Sequence, residues 1–349
     1  MKKRIVFILI AGLLGCKKDS PKKNIPDPVT TIEYSFDNDS NSSLMFKDGE
    51  SLETMTSESR RYEIGKVLRV KPINETTIEV ANFSPVDITD ATILLTIQGQ
   101  NKPIKLFKIK KIRAHATQEI KYPFTKETTK FLDTDNNEVD LAQYKTVGIA
   151  SSKVSFDFTG ETDLIKKLKT LAKLKWTIKY HDFDGTDDPT NNWKENIDAK
   201  DIRRYTGFII NLGYLFQADN TKTAFLNEPI TGNDNVLLTM EQKQVAFQKM
   251  IDIPKFNCGV VVNVSGLGGG STFGVANHIL NDYLTQDVCF IVVHEMGHMI
   301  GYSHSSSMTY PSNPDDRGAV VATGNIYKQM LTHDSFPIKK SNYYKTSDL

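Results

Sequence analysis

An excess of charge of one sign is missing from this sequence. Its 349 residues carry 43 Lys plus Arg against 42 Asp plus Glu, a formal net charge of +1. A balance that close gives no reason to expect nucleic acid as a partner. Long hydrophobic runs are missing too. The one sustained apolar stretch, Ile5 to Leu14, is too short to cross a bilayer as a mature helix, which takes ~20 residues. Cysteine is scarce, with three in the chain. Hydrophobic residues at 39% and charged residues at 24% are ordinary for a globular protein. The length suits a small domain plus an enzyme-sized one, and no internal repeat is visible.

The N-terminus is more specific. Met1 to Arg4 is basic and precedes the apolar run, the pattern of a secretory signal peptide. The run ends in Leu13-Leu14-Gly15-Cys16, which resembles a bacterial lipobox. That resemblance implies a signal peptide over 1–15 and a lipidated Cys16 as the first mature residue. It also implies an exported protein anchored to the cell envelope, at the outer membrane, facing periplasm or surface. Each buried acyl methylene would contribute ~0.8 kcal/mol to such an anchor. Residues 16–45, rich in Lys, Asp, Asn, Ser and Pro, read as a flexible tether. Export would meet an oxidising environment, so Cys258 and Cys289 are either bonded, pinning a helix to a sheet, or two buried thiols.

From 46 to 160 short alternating runs recur, among them Val67 to Lys71, Thr77 to Ala81, Ala91 to Ile97, Ile104 to Ile109 and Lys153 to Phe158. Short period-2 strands at regular spacing predict an antiparallel, immunoglobulin-like β-sandwich, read here as an accessory domain. From 165 to 349 the pattern is mixed. Leu164, Leu168, Leu171 and Leu174 keep helical spacing, as do Ile202, Tyr205, Ile209, Leu212 and Phe216. A third helix is predicted over Met240 to Ile251, and strands over Lys175 to His181 and Gly259 to Val264. The fold class is therefore α+β.

The chemistry is concentrated in Asp287 to His304. His294 and His298 stand four apart, so on a helix their imidazoles share a face and can meet one zinc ion. Glu295, about 100° further round, reaches past the metal to a water and suits a general base. Val288, Ile291, Val292 and Val293 make the preceding turns apolar, the mark of a buried helix. His304 would lie roughly 15 Å from His294 along a continuous helix. Gly301 resolves this, because glycine can take the left-handed conformation that ends a helix and turns the chain back. Three of the seven histidines fall in this one frame.

His-Glu-x-x-His-x-x-Gly-x-x-His, filled by His294 to His304, resembles the metzincin signature. Ser305-Ser-Ser-Met308-Thr-Tyr310-Pro311 looks like the family's Met-turn. Ser305 is similar to the matrixins, and Met308-Thr-Tyr310 to astacins and serralysins. The run Gly266 to Gly274 ahead of the helix resembles bacterial HEIGH-type metallopeptidases, with Met296 in place of their isoleucine. The resemblance, confined to about residues 260–311, implies a metzincin-like α/β domain that holds Zn2+ through His294, His298 and His304. It further implies Glu295 as general base, Tyr310 as a helper at the oxyanion, and Met308 as an apolar floor. Protein or peptide substrate follows. The competing reading is a surface-anchored binding module with a structural zinc.

Other signals carry less. Gly266 to Gly270 follows a strand but lacks the Gly-Lys-Ser/Thr of a phosphate loop. The resemblance implies instead a flexible segment beside the cleft, next to a strand that could pair with extended peptide. The acidic stretches Asp133 to Asn137 and Asp182 to Asp188 do not fit the calcium loop and read as solvated turns. His115, His181, His278 and His333 have no ligand spacing.

Overall fold

The structure, a computed structural model, describes residues 31–183, 192–312 and 316–349. The predicted signal peptide over 1–15, Cys16 and most of the second acidic stretch lie outside them. The described chain is mixed α and β, with nine α-helices and three sheets among its described residues.

Two sheets make up the N-terminal part. One is built from strands Glu138–Asp140, Lys130–Asp133, Ile104–Ile112, Ile88–Ile97 and Val154–Thr159, in that order. The other runs Ser43–Leu44, Ala116–Lys121, Thr77–Asn82, Leu68–Asn74 and is antiparallel throughout. The alternation predicted from sequence is visible in Ile88–Ile97, where Ala91, Ile93, Leu95 and Ile97 point inward. Their partners on Ile104–Ile112 and the inward residues Ile78 and Val80 of the second sheet join one core.

Two expectations change here. Residues 31–45 do not behave as tether throughout, because Glu33–Phe36 forms a strand parallel to Ile104–Ile112. Ile32, Phe36 and Met45 are buried, so this mostly polar stretch still supplies apolar side chains to the core. The parallel pairing also makes the first sheet mixed rather than purely antiparallel.

The third sheet positions the site. Its order is Gly266–Gly269, Thr272–Ala276, Phe256–Val261, Thr177–Tyr180, Tyr62–Glu63. The three middle strands are parallel and the two edges antiparallel. The edge Tyr62–Glu63 comes from the segment assigned to the sandwich, so the two parts share a sheet and a continuous core. Two residues are too short for any periodic signal.

Helix Ala199–Gln217 runs through the centre of this part. It starts at a capping box in which Asp198 accepts from the Asp201 N–H and Asp201 returns the bond. Its Arg203 is buried and holds the far end of the chain. The guanidinium donates to Asp348 at 2.5 and 2.7 Å, to Asp48 at 2.8 Å and to the Phe46 carbonyl at 2.8 Å. A buried cation is tolerated because every partner is an acceptor within reach.

Cys258 and Cys289 are free and buried, so the bonded alternative does not hold. Cys258 sits in the middle strand against Tyr205, whereas Cys289 opens helix Cys289–Met299 against Thr323 and Asp287. Burial pushes both thiols up, and they act as small hydrophobes.

Candidate metal centre

Helix Cys289–Met299 carries the first two histidines. Its entry is fixed by Asp287, whose carboxylate accepts from the Cys289 N–H at 2.9 Å. Val292, Val293 and Met296 are fully buried. The helix packs on strand Gly266–Gly269 on one side and helix Ala319–Thr332 on another. The closeness of the strand explains its composition. A Cβ on Gly266 would meet the Glu295 carboxylate at 2.4 Å, and one on Gly268 would meet the Glu295 carbonyl oxygen at 2.2 Å. The glycine run is therefore neither a phosphate loop nor a loose segment. It is a strand whose helix-facing positions, Gly266 and Gly268, carry no side chain, so that a helix can lie against it.

The helix ends in a Schellman motif. The Gly301 N–H donates to the His298 carbonyl at 3.0 Å and the Tyr302 N–H to the Gly297 carbonyl at 2.9 Å. Gly301 sits at φ +96°, in the region that side chains resist. The reversal brings His304 back beside the other two. Ring centroids are 4.6 Å apart for His294 and His298, 4.7 Å for His298 and His304, and 5.2 Å for His294 and His304. One ligand nitrogen from each lies within 4.8 Å of the others, so the three could hold a metal ion.

The hydrogen bonds bear on whether a metal fits. His294 Nδ1 donates to the Thr309 carbonyl at 3.0 Å, and His298 Nδ1 to the Tyr302 carbonyl at 2.7 Å. A carbonyl can only accept, so each ring carries its proton on Nδ1 and presents a bare lone pair at Nε2. The two Nε2 atoms are 3.0 Å apart. Lone pairs that close repel unless a cation lies between them. Burial and the neighbouring imidazoles, offset in part by the Thr309 carbonyl, lower the His294 pKa to about 4. Burial likewise lowers His298. Both stay neutral, the form that binds metal.

Glu295 is buried, with Oε1 3.9 Å from His294 Nε2. Burial pushes its carboxyl up to about 7, against the opposing Gly268 N–H, which donates to it. It stands beside the cluster rather than in it. Met308 is fully buried and lies 3.4 Å from where a Gly297 Cβ would be, so it packs against the histidine helix. Tyr310 is exposed, its ring 4.4 Å from His294 and 5.1 Å from His304. The three histidines, Glu295 and Tyr310 line a cleft of about 600 Å³ whose other walls include Val264, Leu267, Phe290 and Ile291.

The remaining histidines stay apart from the cluster. His115 is fully buried in the N-terminal part, while His278 and His333 are exposed. Asp133 spends its carboxylate on its own turn, accepting from the Asp135 and Asn137 N–H groups and the Asn137 amide. Sequence reasoning missed the segment around Thr231 and Asn233, which grips the His304 loop through seven hydrogen bonds. Nothing in its composition distinguishes it from any polar turn. The chain matches no family model, no curated protein and no solved structure.

Proposed function

We propose that this chain is a zinc-dependent endopeptidase of the metzincin type, carried on an exported lipoprotein. The observation that carries the reading is a pair of roles side by side: three imidazoles close enough to share an ion, and a buried carboxylate next to them that is not part of that group. A structural zinc has no use for Glu295. Three protein ligands also leave the fourth position free, as catalytic zinc requires.

When bound, zinc polarises the substrate carbonyl and acidifies water. Glu295, buried beside the cluster, takes the proton from the attacking water and passes it to the leaving amine. The Tyr310 hydroxyl at the cleft mouth donates toward the oxygen where negative charge develops. Strand Gly266–Gly269 is a sheet edge along the same cleft, and an extended peptide can lie beside it. In this reading residues 165–349 form the metzincin-like domain and the N-terminal sheets an immunoglobulin-like accessory unit.

The test is a peptide-library digest with the zinc-loaded chain. Cleavage should vanish with chelator, return with zinc, and fall ~10²–10⁴-fold in Glu295→Gln while zinc binding persists. Unchanged cleavage in Glu295→Gln would sink the peptidase. A fourth protein ligand on the bound metal would favour the binding module with a structural zinc. The anchor is tested separately: the mature N-terminus should begin at an acylated Cys16, and an unmodified Met1 would exclude it.

A further inference from the structure

Two of the three imidazoles are held by hydrogen bonds of their own. His304 is not. It is exposed, and among the described residues no hydrogen bond reaches either of its ring nitrogens. Its position comes from the backbone around it, and that backbone is held by a short turn in which Thr231 bridges Leu237. The Asn233 side-chain oxygen accepts from the Ser303 N–H at 2.7 Å and the Ser303 hydroxyl at 3.2 Å. Its Nδ2 donates to the Gly301 carbonyl at 3.0 Å. The Asn233 carbonyl accepts from the Ser305 hydroxyl at 2.8 Å. Asn233 therefore holds the residue on each side of His304 and the glycine where the chain reverses.

Thr231 grips the next two residues. Its carbonyl accepts from the Ser306 hydroxyl at 2.5 Å, its N–H donates to Ser307 Oγ at 2.7 Å, and its Oγ1 accepts from the Ser307 N–H at 3.1 Å. At the foot of the turn Glu228 accepts from Arg317 at 2.7 and 3.0 Å and from the Gly318 N–H at 3.0 Å. The chain is thus braced from one side between Gly301 and Ser307, and again at Arg317 and Gly318.

We propose that Asn233 is the positioning residue for the third metal ligand and sets how tightly the cluster holds its ion. The proposal rests on reading the cluster as a metal site. Nothing lies within 4 Å of where a Gly301 side chain would be, so no contact at the glycine itself holds the reversal. Tyr302 packs against the core and the Ser303 carbonyl accepts from Thr309 Oγ1 at 2.8 Å, while the Asn233 amide ties the two sides of the turn together, one group supplying both the donor for the Gly301 carbonyl and the acceptor for the Ser303 N–H. Without it His304 must be ordered anew each time the metal binds.

Zinc affinity is measured in the full chain by competition with a chromogenic chelator, alongside the absorption spectrum of the Co2+ form. Asn233→Ala should bind zinc ~10–100-fold more weakly, the range for groups that orient ligands, and should alter the cobalt spectrum. Ser305→Ala, which loses the hydroxyl that meets the Asn233 carbonyl, should weaken binding a few-fold. Asn342→Ala is the control: it removes two hydrogen bonds from a different loop and should leave affinity unchanged. Unchanged affinity in both Asn233→Ala and Ser305→Ala overturns the proposal, as does equal weakening by Asn342→Ala. A wild-type chain that binds no zinc overturns the metal reading itself, and this inference with it.

Discussion

The two N-terminal sheets and the segment around the histidine helix satisfy their polar groups in opposite ways. In the sheets, surface charges pair across strands, as in Lys108 with Asp90 at 2.7 Å and Lys111 with Asp87 at 2.7 Å. Inward positions are filled with Ile, Leu and Phe. Around the helix, one face is cleared of side chains by glycine, and two imidazoles aim bare lone pairs at the same point. The first arrangement spends its interactions on stability. The second leaves interactions unmade, which is the condition for binding something else.

The contrast breaks most sharply at Gly268. In Gly268→Ala the new methyl would collide with the Glu295 backbone, so strand and helix must part. Overpacking costs typically ~1–3 kcal/mol, and here backbone rather than a flexible side chain is in the way. Thermal unfolding should show a loss at or above the top of that range, with the Gly268 N–H drawn away from Glu295. A variant as stable as the parent would mean the strand does not lie as described.

Gly301 differs in kind, because space is open there and only φ is demanding. Gly301→Ala should cost about 1–3 kcal/mol through backbone strain, read as a lowered denaturant midpoint with unchanged slope. No change would mean that the helix end relaxes without penalty.

The smallest effect near neutrality belongs to His115, in the N-terminal part. Burial lowers its pKa to about 3, and the nearby Arg203 adds to the shift. A base whose folded pKa is depressed stabilises the fold in its neutral form. That contribution is complete above the unfolded value of ~6.5 and is lost as pH falls from there toward 3. His115→Asn, chosen because His115 sits at φ +51°, should flatten stability against pH over this window whatever it does to the midpoint. An unaltered slope would show that His115 is not the group responsible.

Legibility from sequence followed the range of the interactions. Helix Met240–Ile251 and strands such as Thr77–Asn82 follow from local periodicity, and the structure has them within a residue or two. The edge pairing of Tyr62–Glu63 and the strand Gly266–Gly269 were not readable. A glycine run shows no alternation, and its reason for being a strand is the helix packed against it. The same holds for Asn233, whose partners are about seventy residues away.

The sequence by itself determined which residues can carry the chemistry. The spacing of His294 and His298 puts two imidazoles on one helical face wherever a helix forms, and Gly301 marks where that helix must end. What only the tertiary structure decided is how the third imidazole is held and why the glycines are there. Both depend on close contacts between segments distant in the chain, and no local rule of spacing or propensity encodes such contacts.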